Sequence, residues 1–188
     1  MLGGDHVVHD RESARDLAKV VLWYEKQCRR FGMWLTGKRS ESSDHPVIES
    51  SKTFRNFPCA HRRHKHSDHC ALVHGYSRSF TFWFRAKERT ENGFVMDFGK
   101  LKAVKAWLED VFDHTLLLDS DDPLIPQFRE LESKGACKLV VYEDVGMEGT
   151  CEFVKKWVDD WLLQETGGRV WLHSVEVREN DKNSARIY

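Results

Sequence analysis

No stretch of this 188-residue chain approaches the roughly 20 consecutive apolar residues that a membrane helix needs, and its formal net charge is only −1. The first lack leaves no candidate for a spanning helix. The second removes any global field that would recruit nucleic acid or an anionic membrane, so an anionic ligand has to be held by local groups. The five cysteines, Cys28, Cys59, Cys70, Cys137 and Cys151, include no CxxC pair. An odd count, behind a polar start from Met1 to Asp10 that is unlike a secretory leader, argues against a disulfide framework. Free thiols, a cytoplasmic location and one buried core with room for an extension are the expectation.

Histidine, by contrast, is crowded: of ten in the chain, His61, His64, His66, His69 and His74 fall within one short stretch. Around it the periodicities outline the elements. Ala14, Leu17, Val21 and Tyr24 give helical spacing over Arg11 to Arg30, and the Ser-, Lys- and Glu-rich run from Thr36 to Ser51 reads as a linker. Residues 1–50 are therefore expected to form a helical extension with a linker, and residues 51–188 the main domain. Lys52 to His61 and His74 to Lys87 read as strands, and in the second His74, Tyr76, Arg78, Phe80, Phe82 and Phe84 share one face. An Asn92-Gly93 turn followed by Phe94 to Phe98 predicts a short hairpin strand. Helices are expected after Leu101, over Pro123 to Lys134 with Gly135 as cap, and over Met147 to Leu163. Lys138 to Tyr142 and Val170 to Val177 complete the strands. Hairpins without regular βαβ alternation indicate an α+β fold, with a mainly antiparallel sheet and helices on one face.

Zinc in a catalytic site takes three protein ligands, often histidine, and keeps one position open. Positions i and i+2 of one strand can supply two of them, here His74 and Tyr76, with His61 at the end of the preceding strand as a third. The competing reading of Arg62-Arg63-His64-Lys65-His66 is a solvated basic loop, which spacing alone leaves open.

The motifs resemble those of the 6-pyruvoyl-tetrahydropterin and 6-carboxytetrahydropterin synthases. Phe57-Pro58-Cys59-Ala60-His61 is similar to the family's Phe-x-Ala-Ala-His, and Cys70-Ala71-Leu72-Val73-His74-Gly75-Tyr76 to its Cys-x-x-x-His-Gly-His. Val95 to Lys102 resembles its hydrophobic-Asp-Phe-x-x-Leu-Lys segment, Asp113-His114 with Leu117 its Asp-His-x-x-Leu, and Val175 to Glu179 its closing strand. Each motif is short, but five in the same order over residues 52–188 form a specific signal.

The resemblance implies a tunnelling fold, with a four-stranded antiparallel sheet and helices packed on one face. It implies a Zn2+ site at His61 and His74, with a third ligand where this chain has Tyr76 instead of histidine. A free phenol ionises at about pH 10, so a metal must help remove its proton; His64 or His66 in the loop are alternative donors, and loss of zinc is a further possibility. The resemblance also implies Cys70 as base or nucleophile in a relay with Asp113 and His114, Glu179 as the pterin anchor, and Glu148 or, one turn on, Glu152 as a second acid of the pocket. The implied reaction is conversion of 7,8-dihydroneopterin triphosphate by a lyase of the carboxy branch, which feeds 7-deazaguanine (queuosine) synthesis. A divergent paralogue, acting as a different pterin or purine lyase or as a ligand-binding protein, is the alternative. Trimers or hexamers with sites between subunits are implied too, with Phe80, Phe82, Trp83 and Phe84 available either to an interface or to a closed core. No nucleic-acid or membrane partner is expected.

Overall fold

The computed structural model describes residues 46–188, so the expected helix over Arg11 to Arg30 lies outside the described residues. β1 (Ile48–Arg62) and β2 (His74–Ala86) form a long antiparallel pair, joined by a loop that holds one 3-10 turn at His69–Ala71. β1 starts four residues before the expected Lys52. α1 (Lys102–Phe112), β3 (Thr115–Asp119), α2 (Ile125–Ser133), β4 (Leu139–Tyr142), α3 (Met147–Thr166), β5 (Val170–Arg178) and β6 (Ser184–Ile187) follow. Among the described residues, no helix is long and apolar enough to cross a membrane.

The sheet departs from the expected four antiparallel strands. It has six, in the order β4-β3-β1-β2-β5-β6, and it is mixed, because β3 runs parallel to β1 and β4 parallel to β3. Phe94 to Phe98 is not a strand. Thr90 Oγ1 accepts from the Phe94 amide and Asp97 Oδ1 from the Gly99 amide, so side chains take the amides a ladder would use.

Helix placement also differs from expectation. Val104, Leu108 and Phe112 of α1 and Val154, Val158 and Leu162 of α3 join Phe80, Phe82 and Phe84 in the main core. α2 packs elsewhere: Ile125 and Phe128 meet Leu116, Leu118 and Leu139 in a second cluster, while Leu117 belongs to the first. Since neighbours along a strand point to opposite faces, α2 covers the side of β3–β4 that α1 and α3 do not. Phe80, Phe82 and Phe84 are fully buried, which assigns them to the closed core; Trp83, on the reverse face, lies 3.7 Å beneath the Arg186 guanidinium.

One irregularity fixes which face carries the histidine. The β1–β2 register shifts between Phe54 and Phe57, where Asn56 takes a positive φ of 68°. The extra residue reverses the inward parity, so that Phe54 is buried before the bulge and Phe57, Cys59 and His61 after it. Without this bulge, His61 would point away from His74.

Candidate functional site

His61 and His74 are direct cross-strand partners, and their ring centroids lie 4.4 Å apart. The Tyr76 ring is 5.7 Å from His74 and 6.2 Å from His61. The backbones can approach because Gly75 separates the two β2 side chains: a Cβ there would meet the Cys59 carbonyl oxygen at 2.8 Å. His61 is only 5% exposed and its Nδ1 has no hydrogen-bond partner. Burial, then the charges of Arg78, His74 and Arg63, push its imidazole down to about 3, so it is neutral at physiological pH and keeps a lone pair. His74 Nδ1 lies 2.8 Å from the Leu72 carbonyl, a contact that requires Nδ1 to donate and leaves the lone pair on Nε2. A carbonyl behind one ring nitrogen is the usual support of a metal-binding histidine. Two imidazoles, one of them neutral with an orphaned buried nitrogen and the other held by a carbonyl, and an adjacent phenol fit a first-row cation.

The loop histidines are engaged elsewhere. His66 Nδ1 accepts from the Asp68 amide, and His64 lies 3.5 Å from Asp119, 3.6 Å from Asp121 and 3.9 Å from Asp122. His64, Asp119 and Asp121 bring their donor atoms within 4.8 Å of one another, close enough for a cation. Basic side chains already neutralise that cluster, however: Arg62 pairs with Asp122 at 2.9 Å, Lys65 with Asp121, and Arg63 with Asp144 and, at 3.6 Å, Asp119. The C-terminal ends of the parallel strands β1, β3 and β4 thus meet as an ion-pair network.

Cys70 is half-buried in the 3-10 turn, whose first amide donates to Asp68 Oδ1 at 2.7 Å, and its carbonyl accepts from Arg63 at 2.8 Å. Asp113 and His114 form their pair, Oδ1 to Nδ1 at 2.8 Å, with the His114 side chain 82% exposed. The His114 amide donates to Pro58, at a residue with φ of 55°. Cys70 is therefore tied to β1 at Arg63 and His114 at Pro58. Five residues of strand at about 3.3 Å each separate them by roughly 15 Å, too far for a thiol to meet an imidazole. The structure brings together His61, His74 and Tyr76, and separately Asp113 with His114; it does not bring Cys70 to that pair within one chain.

Glu179 follows β5, and continuing the β2–β5 register by one residue sets it opposite Arg78. It is half-buried, and its Oε1 accepts from Asn183 at 2.9 Å and Asn180 at 3.3 Å. Glu148 stands in the first turn of α3, where its charge helps push the buried Cys151 thiol up to about 11, behind the larger effect of burial.

Arg78 was legible only as a face position. It is fully buried beneath the histidine pair; Nη1 donates to Thr150 Oγ1 at 2.9 Å and Nη2 to the Val145 carbonyl at 3.1 Å, while Nε has no partner. No carboxylate of the described residues pairs with it. The sequence signal was available: an arginine four residues after His74 on the same inward face of an alternating strand.

Comparison with known proteins identifies the family and the fold. The family model described as 6-pyruvoyl tetrahydropterin synthase matches residues 50–188. A 6-carboxy-5,6,7,8-tetrahydropterin synthase of Aquifex aeolicus is 30% identical over 159 residues, covering 73% of this chain and 95% of that protein. One of Rickettsia bellii is 36% identical over 72 residues, covering 38% of this chain; the chain spans about half of that relative's length, 52%. Among solved structures, a protein of Wolinella succinogenes superposes with a TM-score of 0.64 at 24% identity, over 76% of this chain and 98% of that one. The 6-pyruvoyl tetrahydropterin synthase of Caenorhabditis elegans gives a TM-score of 0.54 at 19% identity, over 76% and 96%. At these identities the structural likeness establishes the fold.

Proposed function

The chain belongs to the 6-pyruvoyl tetrahydropterin synthase family, and from that premise we propose that it is a lyase of the 6-carboxytetrahydropterin synthase type, acting on 7,8-dihydroneopterin triphosphate in 7-deazaguanine (queuosine) biosynthesis. The observation that carries this reading is the convergence of His61, His74 and Tyr76 at one end of the β1–β2 pair, with an orphaned imidazole nitrogen facing no protein partner. His61, His74 and Tyr76 would hold Zn2+, which when bound polarises an adjacent oxygen and so lowers the cost of removing neighbouring protons. Cys70 is the proton-moving thiol, and a thiol needs a neighbouring imidazole or positive charge to act as a base. Because Asp113 and His114 stand roughly 15 Å along β1 from it, the relay is completed by the His114 of a second copy. The site is then shared across a homo-oligomer interface. The Glu179 carboxylate accepts hydrogen bonds from the 2-amino and ring NH groups of the pterin, and its two asparagine donors hold it in orientation. Glu148 serves as a second acid of the pocket.

A second reading has one specific support, the phenol at the third ligand position: a paralogue whose changed site acts on a different pterin or purine. Turnover separates the two. Zinc-loaded protein should convert 7,8-dihydroneopterin triphosphate, and Cys70→Ala and His114→Ala should each be inactive. An equal mixture, unfolded and refolded together, should regain about a quarter of the activity, since half the thiols and half the imidazoles are intact and pair at random. Absence of turnover by the unaltered protein refutes the synthase, and a mixture that stays inactive refutes the shared site.

A further inference from the structure

Resting on the metal site read above, we infer that Tyr76 is the metal-selectivity residue: as a bound phenolate it turns the site into a two-imidazole, one-oxygen donor set that favours iron over zinc relative to three imidazoles. The geometry is the first support. A cation about 2 Å from each donor in a tetrahedral arrangement sets two imidazole centroids about 5 Å apart, and a phenol centroid about 6 Å from each of them. The observed separations are 4.4 Å for the imidazole pair and 5.7 and 6.2 Å for the phenol. The three ring centroids therefore stand at about the separations that shared coordination would set.

Partnering is the second support. Among the described residues the Tyr76 hydroxyl takes part in no hydrogen bond, and the residue is 37% exposed, so its oxygen has no competing role inside the protein. Strand register holds its backbone: Tyr76 pairs with Cys59, and Gly75 seats against the Cys59 carbonyl. The loop imidazoles that could have supplied a third nitrogen are occupied by Asp119, Asp121 and the Asp68 amide.

Donor chemistry gives the direction. Imidazole serves zinc, copper and iron alike, whereas oxygen donors suit harder cations. An anionic oxygen also brings one full negative charge to a pocket whose buried neighbour is the positive Arg78, for which the described residues supply no carboxylate. A phenolate–cation unit answers that uncompensated guanidinium better than a third neutral imidazole would.

The test uses the whole chain, stripped with chelator and reloaded. One equivalent of Fe2+ is added anaerobically and air is then admitted. A ferric–phenolate charge-transfer band in the visible is expected for the unaltered protein and should be absent in Tyr76→Phe and Tyr76→His. The Fe2+ to Zn2+ affinity ratio, measured by competition, should fall at least tenfold in Tyr76→His, while zinc binding itself is retained in that variant. Zinc addition to the unaltered protein should give the near-ultraviolet difference band of an ionised tyrosine. Metal bound at one equivalent with neither band, or an affinity ratio unchanged in Tyr76→His, overturns the inference and leaves the synthase reading standing. Bands present without turnover overturn the synthase and leave the inference. Failure to bind any metal overturns the inference.

Discussion

Acidification of the metal-free protein from pH 7 to pH 5 should destabilise it by about 2 kcal/mol through His61 alone. The imidazole ionises at 6.5 in an unfolded chain and only at about 3 in the fold, chiefly because burial strips its hydration and secondly because Arg78, His74 and Arg63 repel the added charge. Above pH 6.5 both states are neutral, and the group contributes nothing to pH dependence. Below it the unfolded chain takes up a proton that the folded one refuses, so stability falls with falling pH until the folded group titrates near 3. At pH 5 the interval from 6.5 is 1.5 units, and about 1.36 kcal/mol per unit gives about 2 kcal/mol, or roughly 5 °C in Tm for a chain of this size. Urea unfolding followed by tryptophan fluorescence at pH 7, 6 and 5 with chelator present, in parallel with His61→Gln, isolates the effect, since all other titrating groups are common to both proteins. Equal pH slopes in the two would refute the reasoning: His61 would then be protonated in the fold, or the site hydrated.

Gly75→Ala should cost about 1–3 kcal/mol, because its Cβ would press on the Cys59 carbonyl, and should weaken metal binding by displacing His74 and Tyr76; denaturation and zinc titration report both. Arg78→Ala should cost about 3–5 kcal/mol by opening a cavity and removing the donors to Thr150 and the Val145 carbonyl, whereas Arg78→Met, which fills the space, should cost markedly less; equal losses in the two would assign the effect to the lost hydrogen bonds and charge. Glu179→Gln should raise KM for the pterin substrate at least tenfold, with unfolding unchanged within about 0.5 kcal/mol, because its oxygen accepts only from two nearby asparagines.

What the sequence disclosed followed from local periodicity. The inward face of β2 was readable because six apolar or site residues alternate without a break, and α3 because its apolar positions repeat at helical spacing over 20 residues. β3 escaped because all five of its residues are buried: a strand covered on both faces has no alternation to detect, and Thr115 directly follows His114 with no turn signal. β6 escaped for the opposite reason, being four residues long at an edge with half its side chains exposed. The metal donors were readable as a motif, but the bulge at Asn56 that aims His61 toward His74 was not, because its effect is a parity change visible only once the two strands are paired.

The unforeseen strand bears directly on the chemistry. Had Asp113 and His114 followed a helix into an ordinary loop, nothing would have kept them from swinging toward Cys70 in the same chain. Parallel pairing of Thr115 with Cys59, through Leu118 with Arg62, opposes it: β3 enters beside Pro58 and runs toward the histidine-rich loop, so Asp113 and His114 lie at the end of β3 that points away from that loop. The left-handed His114, its amide committed to the Pro58 carbonyl, then directs the imidazole outward, where it stands 82% exposed while still bonded to Asp113. On the proposed shared site, activity should therefore require the oligomer even where the monomer is fully folded.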